Sequence, residues 1–143
     1  CRYNGEHSRI SELDELDVDF IPVCPEEAGK LGTPRPAAEM QGSSENILKG
    51  HARILTNNGN DVTKQFIQGA KKSLEVGLTS GVEVAILKSH SPSCGVGEVY
   101  DGSFTHSLTD GNGIFSHLCR ESGITCISSD DSNQIKQTLK KLK

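Results

Sequence analysis

Residues 62–88 constrain the fold more than any other stretch of this chain. Phe66, Ile67, Ala70, Leu74 and Leu78 recur at i, i+3 and i+4 spacing, which predicts an amphipathic helix over 62–78, with Asp61 or Thr63 able to cap it. Gly81 ends it, and the apolar, β-branched run Val82-Glu83-Val84-Ala85-Ile86-Leu87-Lys88 follows at once. A helix feeding a short buried strand is half of a βαβ unit, which calls for a parallel sheet with helices packed against it. The pattern recurs downstream. Ile114, Phe115, Leu118 and Cys119 share one side of a helix over 113–121, Gly123 closes it, and Ile124-Thr125-Cys126-Ile127 reads as a buried strand. A last helix over 132–142 turns Ile135, Leu139 and Leu142 inward, its lysines placed where the helix dipole favours cations. Upstream, residues 8–16 read as a short helix capped by Ser8, residues 19–23 as a strand, 25–36 as a long Pro/Gly-rich loop and 53–56 as a short strand before the turn Asn57-Asn58-Gly59-Asn60. The expected fold is α/β, a three-layer sandwich with a mainly parallel sheet.

At 143 residues the chain is read as a single domain, 1–143, long enough to bury a core without disulfide staples. A net charge of -4 and the lack of a basic stripe argue against a nucleic-acid binder. No apolar run approaches the roughly 20 residues of a spanning helix, so no membrane partner is expected. Five widely spread cysteines, at 1, 24, 94, 119 and 126, make a poor disulfide framework. With no visible signal peptide, a reducing, cytoplasmic setting is expected, with some thiols engaged in chemistry. No motif encodes the oligomeric state.

Two cysteines stand out because each directly follows an apolar run. Phe20-Ile21-Pro22-Val23 ends in Cys24-Pro25-Glu26, and the run at 82–88 leads into Ser91-Pro92-Ser93-Cys94-Gly95. Ligands of parallel sheets bind at the carboxyl ends of strands, so two thiols there can converge on one object. Pro92 and Gly95 let the second loop turn sharply and aim its thiol, and two hydroxyls beside it offer donors for a thiolate or an anion. Glu26, two residues after Cys24, can face the same crevice as a general acid or base. The bland alternatives are core thiols and a solvated carboxylate. For Cys119, on an apolar helix face, and Cys126, inside a strand, packing is the better reading. His7, His51, His90, His106 and His117 lack zinc-site spacing, although His90 is near enough to assist Cys94. Gly95-Val96-Gly97 is too short for a dinucleotide fingerprint, and no nucleophile-elbow motif is present. Soft thiolates select zinc, copper or iron–sulfur centres, and the residues alone do not choose among them.

Longer motifs add a resemblance. Tyr3 and Gly5 within Cys1-Arg2-Tyr3-Asn4-Gly5, the segment Phe20-Ile21-Pro22-Val23-Cys24-Pro25-Glu26, and Thr33-Pro34-Arg35-Pro36 with Ala38 and Glu39 resemble the 2-thiouracil desulfurase (TudS) family, formerly a bacterial domain of unknown function. So do Asp61-Val62-Thr63 with Phe66, Gly69 and Ala70, the block from Ile86-Leu87-Lys88 to Ser91-Pro92-Ser93-Cys94-Gly95, and Tyr100-Asp101-Gly102. The resemblance implies a 4Fe-4S cluster held by three cysteines, two of them matching Cys24 and Cys94, with one iron left open for the sulfur of a small thiolated substrate. The family's third ligand lies in a strand-end motif of the Ala-Cys-Leu-Leu-Gly type, several residues before the segment matching Cys1. Since the chain opens on Cys1 and not on Met, the third ligand and the first strand are expected upstream of residue 1. Carried over residue by residue, the catalytic candidates are Glu26 and Ser91, with Glu27 or Glu39 as replacement acids, and Arg35 is the candidate substrate contact. Glu26 is expected to activate water or pass protons, and Ser91 to position the ring or the water.

The activity expected is therefore non-redox desulfuration of a thiolated nucleobase such as 2-thiouracil. The alternatives are a non-catalytic iron–sulfur module that senses redox state or carries sulfide, and a metal-free thiol enzyme with Cys94 as nucleophile.

Overall fold

The computed structural model describes residues 19–141. The segments expected over 8–16 and around Cys1, as well as Leu142, lie outside the described residues. In chain order the elements are α1 (Pro25–Ala28), β1 (Ala38–Met40), α2 (Ser44–Leu48), β2 (Ile54–Thr56), α3 (Thr63–Thr79), β3 (Val84–Leu87), β4 (Glu98–Tyr100), β5 (Leu108–Asp110), α4 (Ile114–Glu121), β6 (Thr125–Ser128) and α5 (Ser132–Lys141).

The centre is the parallel pair β3 and β6, in register from Val84 against Thr125 to Leu87 against Ser128. Side chains alternate across a strand, and here the two faces of the pair meet different helices. Val84, Ile86 and Ile127 pack with Ile135 and Leu139 of α5. On the other face, Ala85, Leu87 and Cys126 meet a larger core that includes Phe66 and Ala70 of α3 and Ile114, Phe115 and Cys119 of α4. The result is a helix–sheet–helix arrangement in three layers, an α/β fold with a parallel sheet as expected. Two short antiparallel ladders flank it: β1 with β2, in register from Ala38 against Thr56 to Met40 against Ile54, and β4 with β5. Only β2 was visible in the sequence pattern.

The long helix falls where its periodicity predicts. Asp61 Oδ1 accepts from the Thr63 amide at 2.9 Å and from the Thr63 hydroxyl at 2.6 Å, satisfying a donor that the first turn cannot. Its buried face differs from the expected one at its ends and middle. Leu78, in the last turn, is exposed, whereas Gly69 and Ser73 are buried. The reason is a close helix crossing: a Cβ on Gly69 would fall 1.8 Å from Pro25 O, and one on Gly29 would fall 2.0 Å from Gln65 O. Two glycines thus let α1 lie directly on α3, backbone against backbone.

The strand expected over 19–23 is not found. Phe20, Ile21 and Val23 are 46%, 42% and 40% exposed, and the segment joins no ladder among the described residues. A buried strand of a parallel sheet needs a hydrogen-bonded neighbour, and among the described residues β3 pairs with β6 alone in its sheet. Pro22 removes a further donor from the run.

α2 is tied to α4 by polar contacts. The Ser44 hydroxyl lies 2.8 Å from His117 Nδ1, and Glu121 holds the other ring nitrogen. None of the described helices is long and apolar enough to cross a membrane.

Candidate functional site: two cysteine loops joined by a carboxylate

Cys24 immediately precedes α1, so the Gly29–Gly69 crossing fixes where its loop sits. Pro25 begins the helix, a position where its missing N–H costs nothing. Glu26 follows in the first turn.

The second loop leaves β3 through His90, whose φ of 70 places a non-glycine residue in the left-handed region. Its ring lies 3.8 Å from Glu98 and edge-on to Tyr100 with ring centroids 5.7 Å apart, so the contacts of His90 are with these two residues. The loop then closes on itself: Gly95 N–H donates to Ser91 O at 2.9 Å and Cys94 N–H to Ser91 Oγ at 2.8 Å. It also takes up the start of α4. The amides of Gly113, Ile114 and Phe115 donate to Gly95 O, Pro92 O and Ser93 O at 2.9, 2.7 and 2.8 Å. No side chain caps α4; the loop's own carbonyls satisfy its first amides. Gly113 is required at this junction, because a Cβ there would lie 2.5 Å from Ser93 C and O.

The two loops meet at Glu26. Its Oε1 accepts from Arg35 Nε at 3.2 Å and its Oε2 from the Ser93 hydroxyl at 3.1 Å. The pair is largely enclosed, with the Arg35 side chain 7% and that of Glu26 18% exposed. Arg35 Nη1 is also committed, to Gly32 O and Thr33 Oγ1, both at 2.8 Å. Ser93 is 1% exposed and its oxygen lies 3.3 Å from Ser91 Oγ and 3.6 Å from Cys94 Sγ.

Cys94 keeps some residue surface, yet protein crowds its sulfur, and burial pushes its thiol up to about 12. The nearby Glu26 and Cys24 push it the same way, against the hydroxyls of Ser93 and Ser91, which favour the thiolate. A buried thiol that resists ionisation beside a second thiol and a carboxylate suits a soft cation, which would favour the thiolates. Cys24 and Cys94 are two such donors. Among the described residues no group of three His, Cys, Asp or Glu is placed to hold a metal ion.

The structure therefore gathers Cys24, Cys94, Glu26, Ser91 and Arg35 into one cluster. It separates them from the replacement acids. Glu27 is exposed and accepts from Thr33 Oγ1 at 2.7 Å, while Glu39 is buried and accepts from the Gly102 and Phe104 amides at 2.9 and 3.2 Å. Glu39 thus anchors the loop after β4. Cys119 is buried in the core, as expected for packing, and both it and the neighbouring Cys126 are free thiols. Ser93 is the residue that sequence reading passed over as an individual, although its place beside Cys94 was visible. A cavity of about 50 Å³ lined by Glu26, Arg35, Val62 and Phe66 adjoins the cluster, far below the roughly 300 Å³ of a typical ligand pocket. A larger cleft, about 350 Å³, is lined by Glu45, Leu48, Lys49, His117 and Glu121 and shares no lining residue with the thiols.

Comparison with known proteins places this arrangement among relatives. A family model described as 2-thiouracil desulfurase matches residues 1–131. The uncharacterized protein YbbK of Bacillus subtilis (strain 168) is 37% identical over 138 residues, 94% of this chain and 91% of its own length. The solved structure of a [4Fe-4S]-dependent thiouracil desulfidase, TudS (DUF523Vcz), matches with a TM-score of 0.73 and 38% identity over 84% of this chain and 74% of that one.

Proposed function

Because the chain belongs to the 2-thiouracil desulfurase family, we propose that it is an enzyme that removes sulfur from a thiolated nucleobase such as 2-thiouracil, at the Cys24–Cys94–Glu26 cluster. The overall change replaces a thiocarbonyl with a carbonyl: water adds its oxygen to carbon, the C–S bond breaks, and hydrogen sulfide leaves. No electrons are gained or lost.

The observation that carries this reading is the Glu26 carboxylate, held by both oxygens between two cysteine loops. Such a group is a general base with a fixed direction, and positioned acid–base groups typically contribute 10²- to 10⁴-fold. Cys24 and Cys94 would hold an iron–sulfur cluster, which when bound supplies a Lewis-acid position for sulfur. Glu26 takes a proton from the attacking water and returns it to the departing sulfur or ring nitrogen. Ser91, whose oxygen accepts the Cys94 amide, holds the substrate edge or the water beside the thiols. Arg35 is spent on Glu26, Gly32 and Thr33, so it orients the acid, and any contact with substrate is secondary.

The test uses full-length protein reconstituted with iron and sulfide without oxygen. About four irons and four labile sulfides per chain are expected, lost in both Cys24→Ser and Cys94→Ser, with 2-thiouracil converted to uracil and sulfide. Glu26→Gln should keep the iron and lose turnover. A cluster-loaded protein that is inert toward thiolated bases and indifferent to Glu26→Gln would instead be a sensor or sulfide carrier.

A further inference from the structure

We infer that Ser93 is the positioning residue that couples Glu26 to Ser91, an inference that rests on the function proposed above. Glu26 and Ser91 come from different loops, and the side-chain contact that joins them runs through Ser93. A serine hydroxyl has one proton to give and lone pairs to receive. Ser93 gives that proton to Glu26 Oε2, at 3.1 Å. Its oxygen is then left to accept, and the group 3.3 Å away that can fill it is the Ser91 hydroxyl. Ser91 Oγ in turn accepts the Cys94 amide at 2.8 Å. The four groups form one string with a single polarity: Cys94 N–H to Ser91, Ser91 to Ser93, Ser93 to Glu26. The same hydroxyl also lies 3.6 Å from the Cys94 sulfur as a donor, a longer contact that competes with Glu26 for its one proton.

Two features make Ser93 the indispensable link. At 1% exposure it lies where water cannot stand in for it. Its backbone carbonyl is also clamped by the Phe115 and Ser116 amides at 2.8 and 3.2 Å, so the hydroxyl is aimed by helix α4 and not by a mobile loop. Arg35 holds the other carboxylate oxygen. Without Ser93 the carboxylate keeps that one anchor and can rotate about it, and the Ser91 hydroxyl loses its acceptor. Misplacement of a reacting group by about 1 Å can cost 10²-fold in rate.

The experiment compares Ser93→Ala and Ser93→Thr with the wild type, all reconstituted as full chains. It measures kcat and KM for 2-thiouracil, iron content, Tm, and the infrared carboxylate band identified by its loss in Glu26→Gln. Expected for Ser93→Ala is a fall of about 10- to 100-fold in kcat, with KM and iron content unchanged and the Glu26 band shifted. Ser93→Thr, which keeps the hydroxyl, should restore the band and most of kcat. An unshifted band overturns the inference, as does an unchanged kcat, or a loss of activity explained by lost iron and lowered Tm in both variants. If the wild type turns over no thiolated base, the proposed function fails, and the band shift alone decides whether Ser93 positions Glu26.

Discussion

At the scale of single residues, Arg35 is engaged with the Glu26 carboxylate. Its guanidinium reaches Glu26, Gly32 and Thr33 at once, and this demands a planar fork with several donors. Lysine has a compact ammonium and cannot reproduce it. Arg35→Lys is therefore expected to lower kcat about 10-fold or more while iron per chain stays at the wild-type value; iron analysis and steady-state kinetics on the same preparation check this. Although the strand expected before it is not found, the place of Glu26 beside Cys24 was legible because the two lie in one Cys-Pro-Glu segment. Ser93 was not, because Ser91 and Ser93 are chemically identical neighbours. The folded loop separates them, spending the Ser91 oxygen on a backbone amide and sending the Ser93 hydroxyl to Glu26.

At the scale of elements, the site depends on a contact with no side chain in it. Gly69 and Gly29 bring α1 against α3, and α1 carries Cys24 and Glu26. Gly69→Ala would place a methyl 1.8 Å from Pro25 O, where only backbone could yield. Overpacking of this kind typically costs about 1–3 kcal/mol. We expect a lowered urea midpoint together with reduced iron uptake on reconstitution, because the displaced helix takes Cys24 with it. A control at Gly77, whose Cβ would meet only Val82 at 3.9 Å, should leave iron uptake unchanged. α3 was readable from its period, as were α4, α5 and β6. α1 was not, since four residues beginning with proline in a Pro/Gly-rich stretch have no period to read. The three-residue strands β1, β4 and β5 escaped for the same reason. The run at 19–23 is apolar enough for a strand, but a strand also requires a paired neighbour, which composition does not encode.

For the whole molecule, the buried thiols make stability depend on alkali. Burial raises Cys94 from an ordinary 9.0 to about 12, so between those values the folded chain holds a proton that the unfolded chain has released. Stability is then fully present below about 9 and is lost as pH rises toward 12. Cys119, raised by its contact with the Cys126 thiol and by burial, slopes the same way. Cys126, lowered by that same contact, slopes oppositely, below the ordinary thiol range. Metal-free protein should therefore show a urea midpoint that falls from pH 9 to 10.5, less steeply in Cys94→Ala. The three-layer order was legible here because Val84 and Ile86 alternate with Ala85 and Leu87 in one four-residue strand. The two flanking ladders were not, since strands of three residues are too short to show an alternation.

The junction between the Cys94 loop and α4 has a mechanical consequence. Three successive amides of the helix end on carbonyls of the loop, so neither part can fray without unwinding the other. The Cys94 loop and the first turn of α4 are thus one hydrogen-bonded unit, and the same helix is bonded through His117 to Ser44 of α2.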